Sequence, residues 1–504
     1  MKIVLVQPPV EDFYFTPHRS SVLGLHALAD VWTKRGHNCQ ILNFPLEKPK
    51  KKKIPLPAKL EYLVPYLKKQ DNEMKNISWF SNYYRFGPPL EICCERIIAL
   101  EPRVIAISCF AWGYAQTTLR LLKMLRDGFH TNPPLLVVGG AGASVMPDFF
   151  TPFADLVIMG EGENAIEEIE KTVAIKRNII SGSKITMDSP MDIPFPWDIK
   201  DKKKNRFTVT TMLSRGCPKM CSFCANHLVF GKTLRKVDIK TVFAGIDNIL
   251  DYVLKTSKPL DLKTDRSGEH EYKIKLHVNF EDDNILFQKK YFLTVLKYLK
   301  VKCDQNMIDF SFSAENGMDY LLLNDDLLVE LKNLNLTQLN LSMASMDSGQ
   351  LELEKREGSI KKLEVLLKKS EQLGLPVITY FICGLKNDTP VKIVETLAYL
   401  HSLKTSIGIS HYYPVPGLAD WQDRNVFLEN PPFLCCGSSA YPWNGSLNTR
   451  ELITAFRLAR ASNYIKDSLC NKGMVLKIKT NLLKDATMDE VMVNLFFILV
   501  DPND

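Results

Sequence analysis

Short β-type runs alternate with longer segments of helical period through most of this chain. In the first third the runs are Lys2–Val6, Cys39–Phe44, Val104–Ser108, Leu135–Val138 and Leu156–Met159. Between the first two, Val22, Leu25, Leu28, Ala29 and Trp32 recur at the spacing of one helix face, and Gly36 follows as a stop. A second helix is expected from Ala115 to Arg126. Strands separated by helices line up in parallel, which predicts a doubly wound α/β sheet. Ligands of such sheets bind beyond the carboxyl ends of the strands. Those ends hold Pro8 and Pro9, Ser108 to Tyr114, Gly139, Gly140, Gly142 and Ser144, and the run Gly160-Glu161-Gly162-Glu163. Glycines there let backbone approach a flat, bulky ligand, although each alone fits an ordinary βα turn.

Two segments break the alternation. Residues 45–97 insert a Lys- and Pro-rich loop and a Tyr- and Trp-containing stretch, with Leu60, Leu63, Tyr66 and Leu67 spaced as in a helix. Residues 176–205 carry Pro190, Pro194 and Pro196 and predict an extended crossing between domains. Six further strand–helix units follow, with strands at Phe207–Leu213, Lys273–Phe280, Asp309–Ala314, Gln338–Ser342, Pro376–Ile382 and Gly408–Tyr412. Residues 256–271, between the first two of these, are polar and charged and predict an insertion.

The first of these strands leads into Arg215-Gly216-Cys217-Pro218-Lys219-Met220-Cys221-Ser222-Phe223-Cys224. Three thiolates in one short loop can each ligate an iron of a [4Fe-4S] cube, which leaves the fourth iron open to a small molecule. A zinc site or three unrelated thiols remain open on spacing alone. Zinc, however, usually takes four ligands from paired C-x2-C units, and no second unit lies nearby.

With the six units behind it, the Cys217, Cys221, Cys224 loop resembles that of the radical SAM enzymes, in which S-adenosylmethionine (SAM) chelates the open iron. The resemblance covers roughly residues 1 to 420. Residues 1–175, closing on Gly-Glu-Gly-Glu, resemble the cobalamin-binding domain that precedes many radical SAM domains. The fold it implies is α/β. A Rossmann-like cobalamin-binding domain over 1–175 is joined by a linker over 176–205 to a partial (β/α)6 barrel over 206–425, and a small, mostly helical region follows over 426–504.

Strand ends of such a barrel carry the chemistry. The resemblance places Phe223, Ile382 and Gly384 beside the adenine, and Glu281, Asp282 and Asp283 on the SAM ammonium. It places Glu315 on ribose or substrate, and Ser342 with Arg356 on the SAM carboxylate, which suits a planar donor fork. Tyr412 and His411 stand as proton donors or cavity lining, and Cys383 as a hydrogen donor or as packing. Pro414-Val415-Pro416-Gly417 also matches cobalamin-dependent members. The motif D-x-H-x-x-G is absent. Cobalamin is therefore expected base-off, without a histidine lower ligand, unless the domain has kept its fold and lost the cofactor.

The activity implied is methyl transfer to an unactivated carbon through a 5′-deoxyadenosyl radical and methylcobalamin. Cyclisation, ring contraction or rearrangement is the alternative, and a non-catalytic sensor is a third. The substrate is a small molecule, lipid or peptide, and the electron donor is of the flavodoxin or ferredoxin kind. Twelve cysteines without a secretion-type start fit a cytoplasmic chain with thiols and metal ligands. The net charge of +7 is mild for this length, and its main lysine run, Lys48–Lys53, reads as a solvated loop and predicts no nucleic-acid partner. No apolar run is long enough to span a membrane. Near the end, Asn448-Thr449 caps a helix to residue 470 whose Arg450, Arg457 and Arg460 are expected to be solvated. Cys435-Cys436, Cys93, Cys94 and Cys470 offer no spacing for a second cluster.

Overall fold

A computed structural model describes residues 1–16, 21–67, 77–129, 133–175, 183–188, 192–201, 205–257, 274–466 and 471–500. The first sheet contains β1 (Lys2–Gln7), β2 (Asn38–Asn43), β3 (Val104–Ser108), β4 (Leu135–Gly139), β5 (Leu156–Met159) and β6 (Ser183–Thr186). They run parallel in the order β2-β1-β3-β4-β5-β6. Successive side chains go to opposite faces, and both faces are covered. Ile3, Leu5, Val104, Ala106, Leu135 and Val137 pack on Leu25, Trp32, Ile166 and Ile169 of helices Leu23–Lys34 and Ile166–Ile175. Val4, Val6, Ile105, Ile107, Leu136 and Val138 pack on Leu90, Ile97, Leu119, Leu122 and Leu125 of helices Leu90–Ile98 and Ala115–Gly128. Burial of each such side chain contributes about 1.5–3 kcal/mol, enough to fix the register.

The second sheet system begins with β7 (Trp197–Asp201), an antiparallel edge on β8 (Arg206–Thr211). Strands β9 (Ile274–Phe280) and β10 (Ile308–Ser313) continue it in parallel. Strands β11 (Leu339–Ala344), β12 (Val377–Cys383) and β13 (Ser406–His411) form a second parallel set. The parallel bridges Phe312–Leu336 and Met318–Leu341 join the sets between β10 and β11. This is the six-stranded partial barrel, continuous across that junction through the two bridges. Leu276, Val278, Phe280, Phe310, Phe312 and Phe381 are buried beneath the outer helices, so the alternate residues His277, Asn279, Ser311, Ser313, Tyr380 and Ile382 face inward.

Three expectations change. The extended crossing is not free-standing: β6 completes the first sheet and β7 edges the second. Pro190 lies outside the described residues, as do Lys273 and residues 258–271 of the charged insertion. The 45–97 insertion contains the α-helix Leu90–Ile98, but the stretch that holds Leu60, Leu63 and Tyr66 is not an α-helix. The insertion forms a 3-10 run at Ala58–Tyr66, containing Pro65, and a small sheet of Val10–Asp12, Tyr84–Phe86 and Lys52–Lys53. Leu60 and Leu63 are both buried, because residues three apart eclipse in a 3-10 turn. Arg450, Arg457 and Arg460 are not a solvated face. Arg457 is 5% exposed and bonds Asp485 at 2.8 Å and the Ile77 carbonyl at 3.3 Å. Arg460 donates to the Ser78 carbonyl at 2.6 Å, and Arg450 to the Met488 carbonyl at 2.7 Å.

Their helix, Thr449–Ile465, starts with a capping box between Asn448 and Glu451 and packs on β13 with helices Lys472–Lys484 and Glu490–Val500 beside it. Cys470 lies outside the described residues. Among the described residues no helix is long and apolar enough to cross a membrane.

Candidate active site

The cysteine loop leaves β8 at the carboxyl end of the barrel. Gly216 has φ +85°, and a Cβ there would run into the Thr233 carbonyl, so only glycine fits. Cys221 is buried, and Cys217 and Cys224 are half-buried. Burial raises the Cys217 thiol and pushes the Cys224 thiol up to about 11, with the neighbouring cysteines adding to both. Thiols held together this way release their protons when metal binds. Among the described residues no three His, Cys, Asp or Glu side chains are placed to hold a metal ion. The donor set fits an iron–sulfur cube, whose irons each take one thiolate from a loop of this length.

Several elements fix that loop. Asp282 accepts from Leu213 N at 3.1 Å and from Ser214 Oγ at 2.6 Å. Asp283 accepts from Gly216 N at 2.8 Å. Ser222 N donates to the Glu354 carbonyl at 3.1 Å, and the Ser222 hydroxyl donates to the Glu354 carboxylate. Lys219 Nζ pairs with buried Asp319 at 2.5 Å. Desolvation pushes Asp282 up to about 7 and raises Asp283, while these donors pull both back. The three acids after β9 therefore divide. Asp282 and Asp283 brace the cysteine loop and are not free for a ligand ammonium, which leaves Glu281. Their donors come from the strand end some 70 residues earlier, so no local pattern marks this role.

Glu281 is half-buried and is held by Asn279 Nδ2 at 2.6 Å. Asn279 Oδ1 accepts from Glu315 N at 3.0 Å and Ser313 Oγ at 3.1 Å, so Glu281 and Glu315 share one mouth of the barrel. His277 extends this network inward, bonding Ser311 at 3.0 Å and Ser313 at 2.9 Å. Nothing in the sequence spacing singled out Asn279 or His277; their inward register on β9 is the signal that finds them.

Arg356 and Ser342 meet as expected, at 3.1 Å from Nη2 to the hydroxyl. Arg356 Nη1 lies 3.9 Å from Cys221 Sγ, and Nε is buried with no hydrogen-bond partner among the described residues. A buried, unpartnered guanidinium N–H beside the cysteine loop fits a carboxylate acceptor. Phe223 and Ile382 are half-buried nearby in sequence to the loop and the β12 end, respectively. Gly384, at φ +94°, sits in a turn closed by Asp388.

Other expected residues point elsewhere. His411 is buried between the Gly437 and Leu452 carbonyls at 3.0 and 2.9 Å, and burial lowers its pKa. It ties the barrel to the C-terminal region and does not line the cavity. Cys383 is fully buried on the outer face, which is packing. Tyr412 is half-buried, accepts from Trp421 Nε1 at 2.7 Å and has its pKa raised by burial.

At the first sheet, the strand order changes direction between β1 and β3. Pro8 and Pro9 are buried there and lead into the small sheet. Ser108, Gly139 and Gly160 are half-buried where the strand bodies are fully buried, so the β3–β4–β5 ends stay open. Gly140 and Gly142 are needed for a different reason from ligand approach: a Cβ on either would strike the Cys109–Ala111 turn. Ser144 Oγ bonds the Gly140 carbonyl and Gly160 N, both at 3.0 Å, tying two strand-end turns. Gly162 faces Leu28. Glu161 and Glu163 are buried on Arg215, at 2.7 Å each, and do not face the strand-end opening. The D-x-H-x-x-G motif is absent from the sequence of this domain.

Comparison with known proteins agrees with this division. Residues 57–170 match the B12 binding domain family, and residues 211–400 match the Radical SAM superfamily. The chain is similar to bacteriochlorophyllide d C-12(1)-methyltransferase of Chlorobaculum tepidum, 24% identical over 56% of this chain and 58% of that protein. It therefore spans less than two thirds of that relative's length. It is 28% identical to the cobalamin-dependent radical SAM methyltransferase TokK of Streptomyces tokunonensis, over 30% of this chain and 25% of that protein. The radical SAM methyltransferase TsrM of Kitasatospora setae, solved with cobalamin and a [4Fe-4S] cluster bound, has the same fold. Its TM-score is 0.53 at 11% identity, over 82% of this chain and 76% of that one.

Proposed function

Because this chain belongs to the radical SAM proteins that carry a B12-binding domain, we propose that it is an enzyme transferring a methyl group to an unactivated carbon. When bound, the cluster with SAM would supply a carbon-centred radical, and cobalamin the methyl group. The observation that carries the reading is the meeting of Arg356, Ser342 and Cys221 at the cysteine loop. Arg356 holds the SAM carboxylate with Ser342, and Glu281 holds the ammonium. Phe223, Ile382 and Gly384 flank the adenine, and Glu315 meets the ribose or substrate. Cys217, Cys221 and Cys224 ligate the cluster, while Asp282, Asp283, Glu354 and Lys219 hold their loop in place. The half-open strand ends at Ser108, Gly139 and Gly160 are where cobalamin fits, base-off because the D-x-H-x-x-G motif that supplies a lower histidine is absent. The substrate is a small molecule, lipid or peptide, and the electron donor is of the flavodoxin or ferredoxin kind.

The test is anaerobic reconstitution with iron, sulfide and cobalamin, followed by reduction and addition of SAM. Formation of both 5′-deoxyadenosine and S-adenosylhomocysteine, with a base-off cobalamin spectrum, is expected. Deoxyadenosine alone, with no cobalamin retained, would overturn the methyl-transfer reading.

A further inference from the structure

Arg215 immediately precedes Gly216 and Cys217, and it is 3% exposed. Its Nη1 reaches Glu161 Oε2 and Glu163 Oε1, both at 2.7 Å. Arg235 grips Glu161 from the other side. The two arginines face each other across a ribbon, Ser214–Arg215 paired with Arg235–Lys236, that brackets the cysteine loop. Both carboxylates belong to the turn after β5, in the B12-binding half of the chain. Two acids and two bases thus meet in a buried, charge-balanced junction between that half and the root of the cysteine loop. Buried charges hold position only when every partner is in place, because an unpaired one would be desolvated without compensation.

We propose that this junction is a positioning device. Glu161 and Glu163 set Arg215, and Arg215 sets Cys217 and its loop relative to the cobalamin-binding domain. The acids act on the cluster end of the site and do not touch cobalamin. Lysine cannot replace Arg215, since both contacts are made by the terminal Nη1 and a lysine ammonium ends one bond short of that position. The inference deepens the function proposed above and rests on it for the identity of the cluster.

The test uses Arg215→Lys and Glu163→Gln in the full chain, reconstituted anaerobically. Cobalamin affinity, read by absorbance titration, is expected to be unchanged. The paramagnetic resonance spectrum of the reduced cluster is expected to lose its response to SAM. Deoxyadenosine formation is expected to fall about 100-fold, the scale of a misplacement near 1 Å. Loss of cobalamin with the SAM-dependent spectrum intact would overturn the proposal, because the acids would then be cofactor contacts. Wild-type behaviour in both readouts, or loss of both together, would overturn it as well. If Arg215→Lys fails to fold, Glu163→Gln still leaves Arg215 paired with Glu161 and gives the same readouts. If the wild-type chain retains no cobalamin, the functional reading fails while the cluster spectrum still decides the junction.

Discussion

The guanidinium of Arg356 donates from one nitrogen to both the hydroxyl and the carbonyl of Ser342, at 3.1 Å each. It is thereby held within 3.9 Å of the Cys221 sulfur. The residue comes from the segment after helix Ser348–Leu353, and its Leu351 carbonyl bond and its nearness to Asp319, 3.9 Å away, complete its support. A long flexible side chain is thus pre-set, so little rotamer freedom is left to lose when a carboxylate arrives.

Replacing Arg356 by Ala should weaken SAM binding by about 2–3 kcal/mol, roughly 30- to 150-fold, the worth of a charge-assisted contact. Arg356→Lys should fall between, because it keeps charge but not the fork. Equilibrium dialysis of SAM against the reconstituted protein measures this. Unchanged affinity in Arg356→Ala would remove Arg356 from the SAM site.

Cys217→Ala and Cys224→Ala should each take one ligand from the proposed cluster, and both positions are half-buried. The fold should persist, with unchanged far-ultraviolet circular dichroism, while bound iron falls and deoxyadenosine formation disappears. A full complement of iron and sulfide in either variant would show that the loop does not hold the cluster as assigned.

Much of this site was legible because its signals are local. Cys217, Cys221 and Cys224 share one loop, and β-type runs such as Val104–Ser108 and Pro376–Ile382 place strand ends within a few residues. Ser342 and Arg356 were expected together from the family resemblance alone, and their side chains do meet, at 3.1 Å. What stayed hidden depends on partners far along the chain. Asp282 braces Leu213, 69 residues away, and Arg457 binds Ile77, 380 residues away. A carboxylate that receives backbone N–H groups and one that awaits a ligand look identical in sequence. Glycine is ambiguous in the same way: the neighbouring Cys109–Ala111 turn already requires Gly142, whatever ligand approaches.

Asp282 should make stability depend on pH. Its folded pKa, about 7, lies above its ordinary value of 3.8 because burial disfavours the ionised form. The native chain then binds more protons than the unfolded one between those values, so stability falls as pH rises from about 4 to 7 and levels off above. Asp282→Asn imitates the protonated acid and lacks this titration. Its melting temperature relative to wild type should therefore improve across that interval, by an amount corresponding to on the order of 2–4 kcal/mol. A gap that stays constant from pH 4 to pH 8 would contradict the buried, raised carboxyl.

Arg457 is a buried clasp outside the barrel. Its charge is paired with Asp485, and its Nε reaches back to the Ile77 carbonyl of the insertion. Arg457→Met keeps much of the aliphatic packing but leaves Asp485 and that carbonyl without their donor. The loss should be roughly 3 kcal/mol, since breaking one side of a buried pair costs more than the pair contributes. Added salt should rescue little of it, because the contact is screened from solvent. Arg460→Ala, which removes only a donor to the Ser78 carbonyl and a stack on Phe456, should cost less. Chemical denaturation of the two variants side by side measures both. Equal losses would mean that the charge pair with Asp485 adds nothing beyond its backbone bond, and that the insertion is held by packing alone.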